Sequence, residues 1–304
     1  IILHVINRKL EESIIRLNLC TIPMSAFPVF ARLCFFLVIF FFPSKLNAIS
    51  TPRSQKVKPN IADESRRYLL ALLGIANYAN AFPALALSPS QASADYDKYA
   101  KSYDDIDGGE VSSLLGLDIA RAELFGKASG EVLEVGVGTG LNLAKYDSKL
   151  VSDITVVDIS EGMIEEARSR VKALNIDIPI RFVKADATSQ LQECFGSNAF
   201  DTVVDSFSLC VMGNEGARQC LDEMSIVLKP EGRLLLLENS RSSSSFLGWY
   251  QDATALAAAS AGGKGCVYNQ DVSRMIKQSN RLKIIEEKEI FTGVFRAFEC
   301  VKTV

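Results

Sequence analysis

The stretch Glu131-Val-Leu-Glu-Val-Gly-Val-Gly-Thr-Gly140 constrains the fold more than any other part of the chain. A short apolar run (Val132, Leu133, Val135) carries one acid, Glu134, and then breaks into glycines at 136, 138 and 140. That is the pattern of a buried strand ending in a tight loop before a helix. Glycine permits positive φ and lets a ligand approach without a Cβ in the way. A helix N-terminus beyond such a loop offers free N–H groups and the positive end of a dipole. The expectation is a site for a nucleotide-like ligand, framed by the rest of the chain.

Downstream, apolar runs alternate with helical periodicity. Strands are expected at Val132–Val135, Ile154–Val157, Ile180–Val183, Phe200–Val204 and Arg233–Glu238. Helices are expected around Leu141–Tyr146, from Gly162 to Leu174 behind the N-cap Ser160, over Ala217–Leu228 and near Gln270–Ser279. Lys229-Pro-Glu-Gly232 reads as a turn, and the segment containing Trp249 and Tyr250 as a long connection. Two last strands, Leu282–Glu287 and Val294–Val301, read as an antiparallel hairpin at one edge. Strands alternating with helices, with continuous apolar runs such as Leu234–Leu237, mean a mainly parallel sheet covered on both faces. Upstream, a helix is expected over Val111–Phe125. Tyr96, Tyr99 and Tyr103 have helical spacing, and either lie over the ligand as a lid or pack on the core.

In doubly wound sheets the ligand sits at the carboxyl ends of the strands. Here each such end is polar: the glycines after the first strand, Asp158 after the second, Asp186 after the third, and Asp205, Ser206 and Ser208 after the fourth. Asp158 is suited to accept hydrogen bonds from a ribose diol, and Asp186 from an adenine amino group. A dinucleotide site wants G-x-G-x-x-G. This loop is G-x-G-x-G with Leu141 next, which disfavours NAD, and no P-loop motif is present.

These residues resemble a known series. Glu134-x-Gly136-x-Gly138-x-Gly140, Asp158, Ala185-Asp186-Ala187, Phe200-Asp201-x-x-x-Asp205 and Leu228-Lys-Pro-x-Gly232 are similar to the motifs of class I S-adenosylmethionine-dependent methyltransferases. The nearest branch is the type 11 and ubiquinone/menaquinone-methyltransferase-like group, whose opening motif Tyr96-Asp-x-x-Ala100-x-x-Tyr103-Asp104 resembles. The tail Gly248-Trp249 … Gly265-Cys266-x-x-Asn269-x-Asp271-Val272 resembles membrane-associated thiol or lipid methyltransferase-like proteins. The resemblance covers residues 95–304. It implies a doubly wound, Rossmann-like fold with a mainly parallel seven-stranded sheet and an antiparallel edge hairpin. It implies S-adenosyl-L-methionine as cofactor, with Gly136, Gly138, Gly140 and Glu134 toward its amino-acid part. Asp158 would bind the ribose, Met163 would lie near the adenine, and Asp186 and Ala187 would hold the adenine edge. Asp205 and Ser206 would border the transfer site.

Composition narrows the chemistry. Residues 95–304 carry 23 Lys/Arg against 32 Asp/Glu, which argues against nucleic acid as a partner. The one histidine, His4, lies outside that region, excluding a His base or His metal cluster within it. Seven cysteines without C-x-x-C indicate neither a zinc site nor a disulfide framework, and no metal is expected. A general base must then be a carboxylate, a tyrosine, a cysteine or solvent. Asp205, Tyr99, Tyr103 and Tyr250 are the candidates, with Cys210 as part of the wall. The missing histidine favours an acceptor that is already ionised, such as a thiol. The Phe246–Ala259 region favours a hydrophobic, lipid-like acceptor or association with a membrane surface. The competing reading is a cofactor-binding organelle assembly factor without catalysis.

Residues 1–94 read as a targeting leader, with ten Lys/Arg against four Asp/Glu. Met24–Ala48, with its apolar core Leu33–Phe42, resembles a signal peptide. Arg66-Arg67, the apolar run from Tyr68 and Ala92-Ser-Ala94 resemble a twin-arginine signal with its cleavage site. Layered leaders of this kind point to a plastid, with mitochondrial or endomembrane residence as the alternative.

Overall fold

The computed structural model describes residues 87–104, 115–261 and 265–303. The signal-like segments up to Ala86 and the first part of the helix expected over Val111–Phe125 lie outside the described residues. Helix α1 (Pro89–Tyr99) opens the described chain, followed by a 3-10 turn at Ala100–Ser102. Then come α2 (Leu117–Phe125), β1 (Gly130–Val135), β2 (Val151–Asp158), α3 (Glu161–Leu174), β3 (Ile180–Lys184), α4 (Leu191–Phe195) and β4 (Phe200–Ser206). The chain continues through α5 (Gly213–Val227), β5 (Leu228–Asn239), α6 (Ser245–Ala261), α7 (Val272–Gln278), β6 (Leu282–Ile290) and β7 (Phe295–Lys302).

The seven strands form one sheet in the order β3-β2-β1-β4-β5-β7-β6. β1 through β5 run parallel, and β7 lies antiparallel between β5 and β6. The last two strands therefore close one edge as a hairpin, as their pattern predicts. Strand order reverses between β1 and β4, which sets the switch point of a doubly wound sheet beside the glycine loop.

Period-two alternation explains why the strand cores read as continuous apolar runs. Leu133, Val135, Leu234 and Leu236 pack on one face with α4, α5 and α7. Val132, Leu235 and Leu237 pack on the other with α2 and Ala167 of α3. Both faces are covered, so neither set of side chains is polar. Each fully buried leucine of Leu234–Leu237 contributes about 1.5–3 kcal/mol relative to exposure.

Three elements depart from the sequence pattern. No α-helix follows the glycine loop; the chain makes only a 3-10 turn at Leu143–Lys145. Fifteen residues separate β1 from β2. They must return along a six-residue strand, about 20 Å, after forming the loop, and α-helix advances only about 1.5 Å per residue. Second, Lys229–Gly232 is not a free turn but a bulge within β5. The register jumps there from Phe200↔Leu228 to Thr202↔Arg233, and Glu231 takes φ 59°. Third, the connection containing Trp249 and Tyr250 is the 17-residue helix α6. Its alanines supply high helix propensity without an amphipathic stripe to reveal it.

Candidate active site

A cleft of about 210 Å³ opens at the carboxyl ends of the parallel strands. Its floor is the glycine loop. Gly136, Gly138 and Gly140 all have positive φ, and each serves a different purpose. A Cβ on Gly136 would lie 2.5 Å from Ser208 Cβ, so the loop can pass β4 only without a side chain. A Cβ on Gly140 would collide with Leu143 and Ala167, so that glycine packs the loop on α3 and does not line the cleft. A Cβ on Gly138 meets nothing within 4 Å, because it projects into the cleft opening.

Asp158, at the end of β2, ties this floor to α3. Its Oδ2 accepts from Gly138 N at 2.9 Å and its Oδ1 from Ser160 N at 2.9 Å. Burial pushes the carboxyl up, and the N–H donors oppose that. Each oxygen keeps a lone pair beyond its backbone donor. Ser160 caps α3 through Met163 N, as the sequence predicts. Met163 is buried and lines the cleft beside Asp158. After β3, Asp186 accepts from Thr188 N at 2.9 Å and Thr188 Oγ1 at 2.7 Å through one oxygen, Oδ1. Asp186, Ala187 and Ser206 all border the cleft.

The N-terminal segment forms the opposite wall. Tyr96 and Tyr103 line the cleft and lie 6.3 Å apart between ring centroids, so two of the three spaced tyrosines act as wall. Tyr99 sits against Tyr96 at 6.4 Å and does not line the cleft. Three hydrogen bonds made by Asp97 and Ser93 hold α1 down. Asp97 Oδ1 accepts from Ser160 Oγ at 2.5 Å and Gly162 N at 2.9 Å, which lowers its pKa, and Ser93 Oγ donates to Ile159 O at 3.0 Å. Gly162 permits the approach, since a Cβ there would lie 3.2 Å from Asp97 Cα. Asp104 accepts from Thr139 Oγ1 in the glycine loop at 2.6 Å and pairs with Arg170, whose Nε donates to Thr139 O at 2.7 Å. Asp97, Asp104, Thr139 and Arg170 are not among the site residues expected from sequence, although Asp97 and Asp104 stand in the opening motif and Thr139 in the glycine loop. The expected cleavage site Ala92-Ser93-Ala94 lies inside α1, and Ala92 lines the cleft.

Two expected site carboxylates lie beneath the cleft, not on its wall. Glu134 is fully buried and accepts from Asn142 Nδ2 at 2.9 Å and Tyr146 OH at 2.7 Å. Burial raises its pKa to about 7 against the opposing pull of those donors. Asn142 Nδ2 also donates to Ser206 Oγ at 2.9 Å, linking Glu134 to the cleft wall. Asp205 is fully buried because it lies within β4, paired in register with Val135 and Leu236, and not after the strand. It accepts from Ser208 Oγ at 2.7 Å and hydrogen-bonds the buried Glu238 of β5. Burial and the neighbouring Asp205 push the Glu238 carboxyl well above its ordinary value, and burial raises Asp205 as well. Tyr250, on α6, does not border the cleft; burial raises its hydroxyl. Cys210 is buried against Cys266, with Asn239 Nδ2 3.6 Å from each sulfur, and its thiol is pushed up. It does not line the cleft, so the expected place in its wall is not where the structure puts it.

A larger hollow, about 460 Å³, lies at the opposite ends of the strands between Glu131, Asp153 and Arg181. None of the predicted site residues reaches it.

Comparison with known proteins agrees with this geometry. Residues 132–232 match the family model of a methyltransferase domain. Over 164 residues the chain is 34% identical to a ubiquinone/menaquinone biosynthesis C-methyltransferase of Azotobacter vinelandii, covering 53% of this chain and 62% of that protein. Over 213 residues it is 28% identical to the mitochondrial methyltransferase OMS1 of Saccharomyces cerevisiae, covering 65% of this chain and 43% of that protein. The chain thus spans between about two fifths and three fifths of the length of these relatives. The fold is similar to that of the [4+2]-cyclase SpnF, with a TM-score of 0.56 at 15% identity over 72% of this chain and 98% of that one. An O-methyltransferase family protein from Burkholderia thailandensis gives a TM-score of 0.56 at 15% identity over 79% of this chain and 70% of that one. With its glycine loop, strand-end aspartates, sheet order and family match, the chain carries a class I S-adenosylmethionine-dependent methyltransferase domain.

Proposed function

We propose that the protein transfers a methyl group from S-adenosylmethionine to a small, apolar acceptor of the quinol-ring or lipid-like type. The observation that carries this reading is the convergence of Gly138, Asp158 and Asp186 on one cleft whose opposite wall is Tyr96 and Tyr103. The cradle fits the cofactor: a side chain at 138 would fill space the loop leaves open. Gly136 and Gly138 would receive the amino-acid part, Asp158 the ribose hydroxyls, Asp186 with Ala187 the adenine edge, and Met163 the adenine face. Glu134 acts from below, orienting Asn142 and through it Ser206. When bound, the sulfonium supplies an electrophilic methyl group. The chain's own part is to hold the acceptor in line and exclude water, which the tyrosine wall favours.

Relatives named for C-methylation in ubiquinone and menaquinone biosynthesis support a quinol ring. Phe246 and Trp249 form an exposed aromatic pair on α6, 48% and 63% exposed, which supports contact with an apolar surface. Among the described residues no helix is long and apolar enough to cross a membrane. We place the protein in an organelle. The basic leader supports a plastid, and the mitochondrial relative supports the alternative.

Transfer of labelled methyl from S-adenosylmethionine to an organelle extract, followed by separation of the products, tests activity and identifies the acceptor together. S-adenosylhomocysteine binding without any labelled product would support the non-catalytic assembly factor instead.

A further inference from the structure

The buried acids beneath the cleft ask for an explanation. Glu134, Asp205 and Glu238 lie on the adjacent strands β1, β4 and β5, and all three are fully buried. Glu134 has its own donors in Asn142 and Tyr146. Among the described residues, Ser208 lines the cleft and hydrogen-bonds both Asp205 and Glu238. It lies next to Gly136, its Oγ donates to Asp205 Oδ2 at 2.7 Å, and its N donates to Glu238 Oε1 at 3.0 Å. Ser208 is thus the point at which a buried carboxyl pair meets the space where an acceptor would sit. No histidine stands in the described residues to take a proton there.

We propose that Ser208 relays a proton from the methyl acceptor to Asp205, making the Asp205–Glu238 pair the base of the reaction. This rests on the methyltransferase reading above. The acceptor's O–H bond breaks and its proton passes to Ser208 Oγ as the Ser208 proton passes to Asp205 Oδ2. The electron pair stays on the acceptor. The proton returns to solvent along the same path after the products leave. Glu238 keeps its own proton throughout and donates to Asp205, so the pair goes from one negative charge to none. Burial favours that change, while the hydrogen bonds that Ser208 and Glu238 give Asp205 oppose it. Glu134 from β1 and Glu238 from β5 are acids, and Cys210 and Cys220 are thiols whose ionisation Asp205 opposes. In this relay Ser208 is the catalytic residue and Asp205 acts through it.

The test uses the full chain and the variants Ser208→Ala, Ser208→Thr and Asp205→Asn. Carbon-13 NMR of aspartate-carboxyl-labelled protein, with no cofactor present, follows Asp205 directly. The relay requires an Asp205 signal that titrates in the mildly acidic to neutral range, moves upward in Ser208→Ala because a donor to the carboxylate is lost, and returns in Ser208→Thr. Methyl transfer is measured to 1,4-naphthoquinol and to 4-nitrothiophenol, the second being a thiolate at neutral pH. For the quinol, Ser208→Ala and Asp205→Asn lose about 100-fold in kcat near neutral pH while the KM for S-adenosylmethionine stays within about threefold, and Ser208→Thr keeps most of the rate. For the thiolate, Ser208→Ala and Asp205→Asn lose no more than about tenfold, so the loss is at least about tenfold larger for the quinol than for the thiolate. An Asp205 signal that does not titrate across that range, or equal quinol rates in wild type and Ser208→Ala, overturns the relay. Calorimetry with S-adenosylhomocysteine reports on the cofactor site separately: failure of the wild type to bind it defeats the methyltransferase reading, while the NMR titration still decides the relay.

Discussion

Gly138 N donates to Asp158 Oδ2 at 2.9 Å, so the one loop glycine that opens into the cleft is held by the acid that ends the next strand. Loop and acid are one unit, twenty residues apart in sequence and joined across the floor of the site.

That unit sets the first prediction. Gly138→Arg points a long side chain into the cleft and forces a non-glycine residue into φ +54°. The backbone cost is about 1–2 kcal/mol. Calorimetry should show S-adenosylhomocysteine binding lost, while circular dichroism shows a folded protein with Tm lowered by a few degrees. Unaltered affinity would put the cofactor elsewhere.

Asp158→Ala removes the acceptor of both Gly138 N and Ser160 N. Losing hydrogen bonds of this kind costs about 1–3 kcal/mol, so S-adenosylhomocysteine should bind about 10- to 100-fold more weakly. Isothermal titration at fixed pH reads this.

Asp97→Ala should free α1 from α3, because Asp97 alone accepts both Ser160 Oγ and Gly162 N. Hydrogen exchange should rise over residues 89–99 and not in β1 or β4, and cofactor affinity should fall as the tyrosine wall loosens. Removal of residues 1–94 should act in the same direction, since Leu87, Pro89 and Ala92 line the cleft. Full affinity in the truncated chain would show that α1 contributes nothing to binding.

Glu134 makes stability depend on pH in a direction unusual for a carboxyl group. Its folded pKa of about 7 lies above the ordinary value of 4.5, so the folded state holds the extra proton between these values. The stability this confers is present below 4.5 and is lost as pH rises through 7, amounting to at most about 3 kcal/mol. Denaturant titrations of wild type and Glu134→Gln should diverge across this window: the wild type loses stability relative to the variant as pH rises. Parallel curves would mean that Glu134 is ionised in both states.

Much of the site was legible because it depends on short-range features. Ser160 at the N-cap, the apolar strand runs and the glycine spacing each act through backbone geometry within a few residues. The expected helix after Gly140 failed because the length of the crossover is set by the sheet, not by the local pattern. Alanine-rich α6 carries no apolar periodicity to mark it as a helix in the sequence. The apolar run places Asp205 just past the fourth strand, but β4 extends to Ser206 and takes it into the core.

The succession of strands along the chain, the glycine loop and the acids Asp158 and Asp186 at the ends of the second and third strands are determined by the sequence itself, since local propensity and period-two burial leave them little choice. Which of those residues meet was decided only by the tertiary structure. Asp97 reaches Ser160 across 63 residues, Asp104 reaches Thr139 across 35, and Asp205 and Glu238 meet at Ser208, from which both accept. Such contacts arise from strand order and helix docking, which bring together groups that carry no local signature of one another. The linear chain shows which residues can bind; packing determines which of them face the cleft and which are held beneath it.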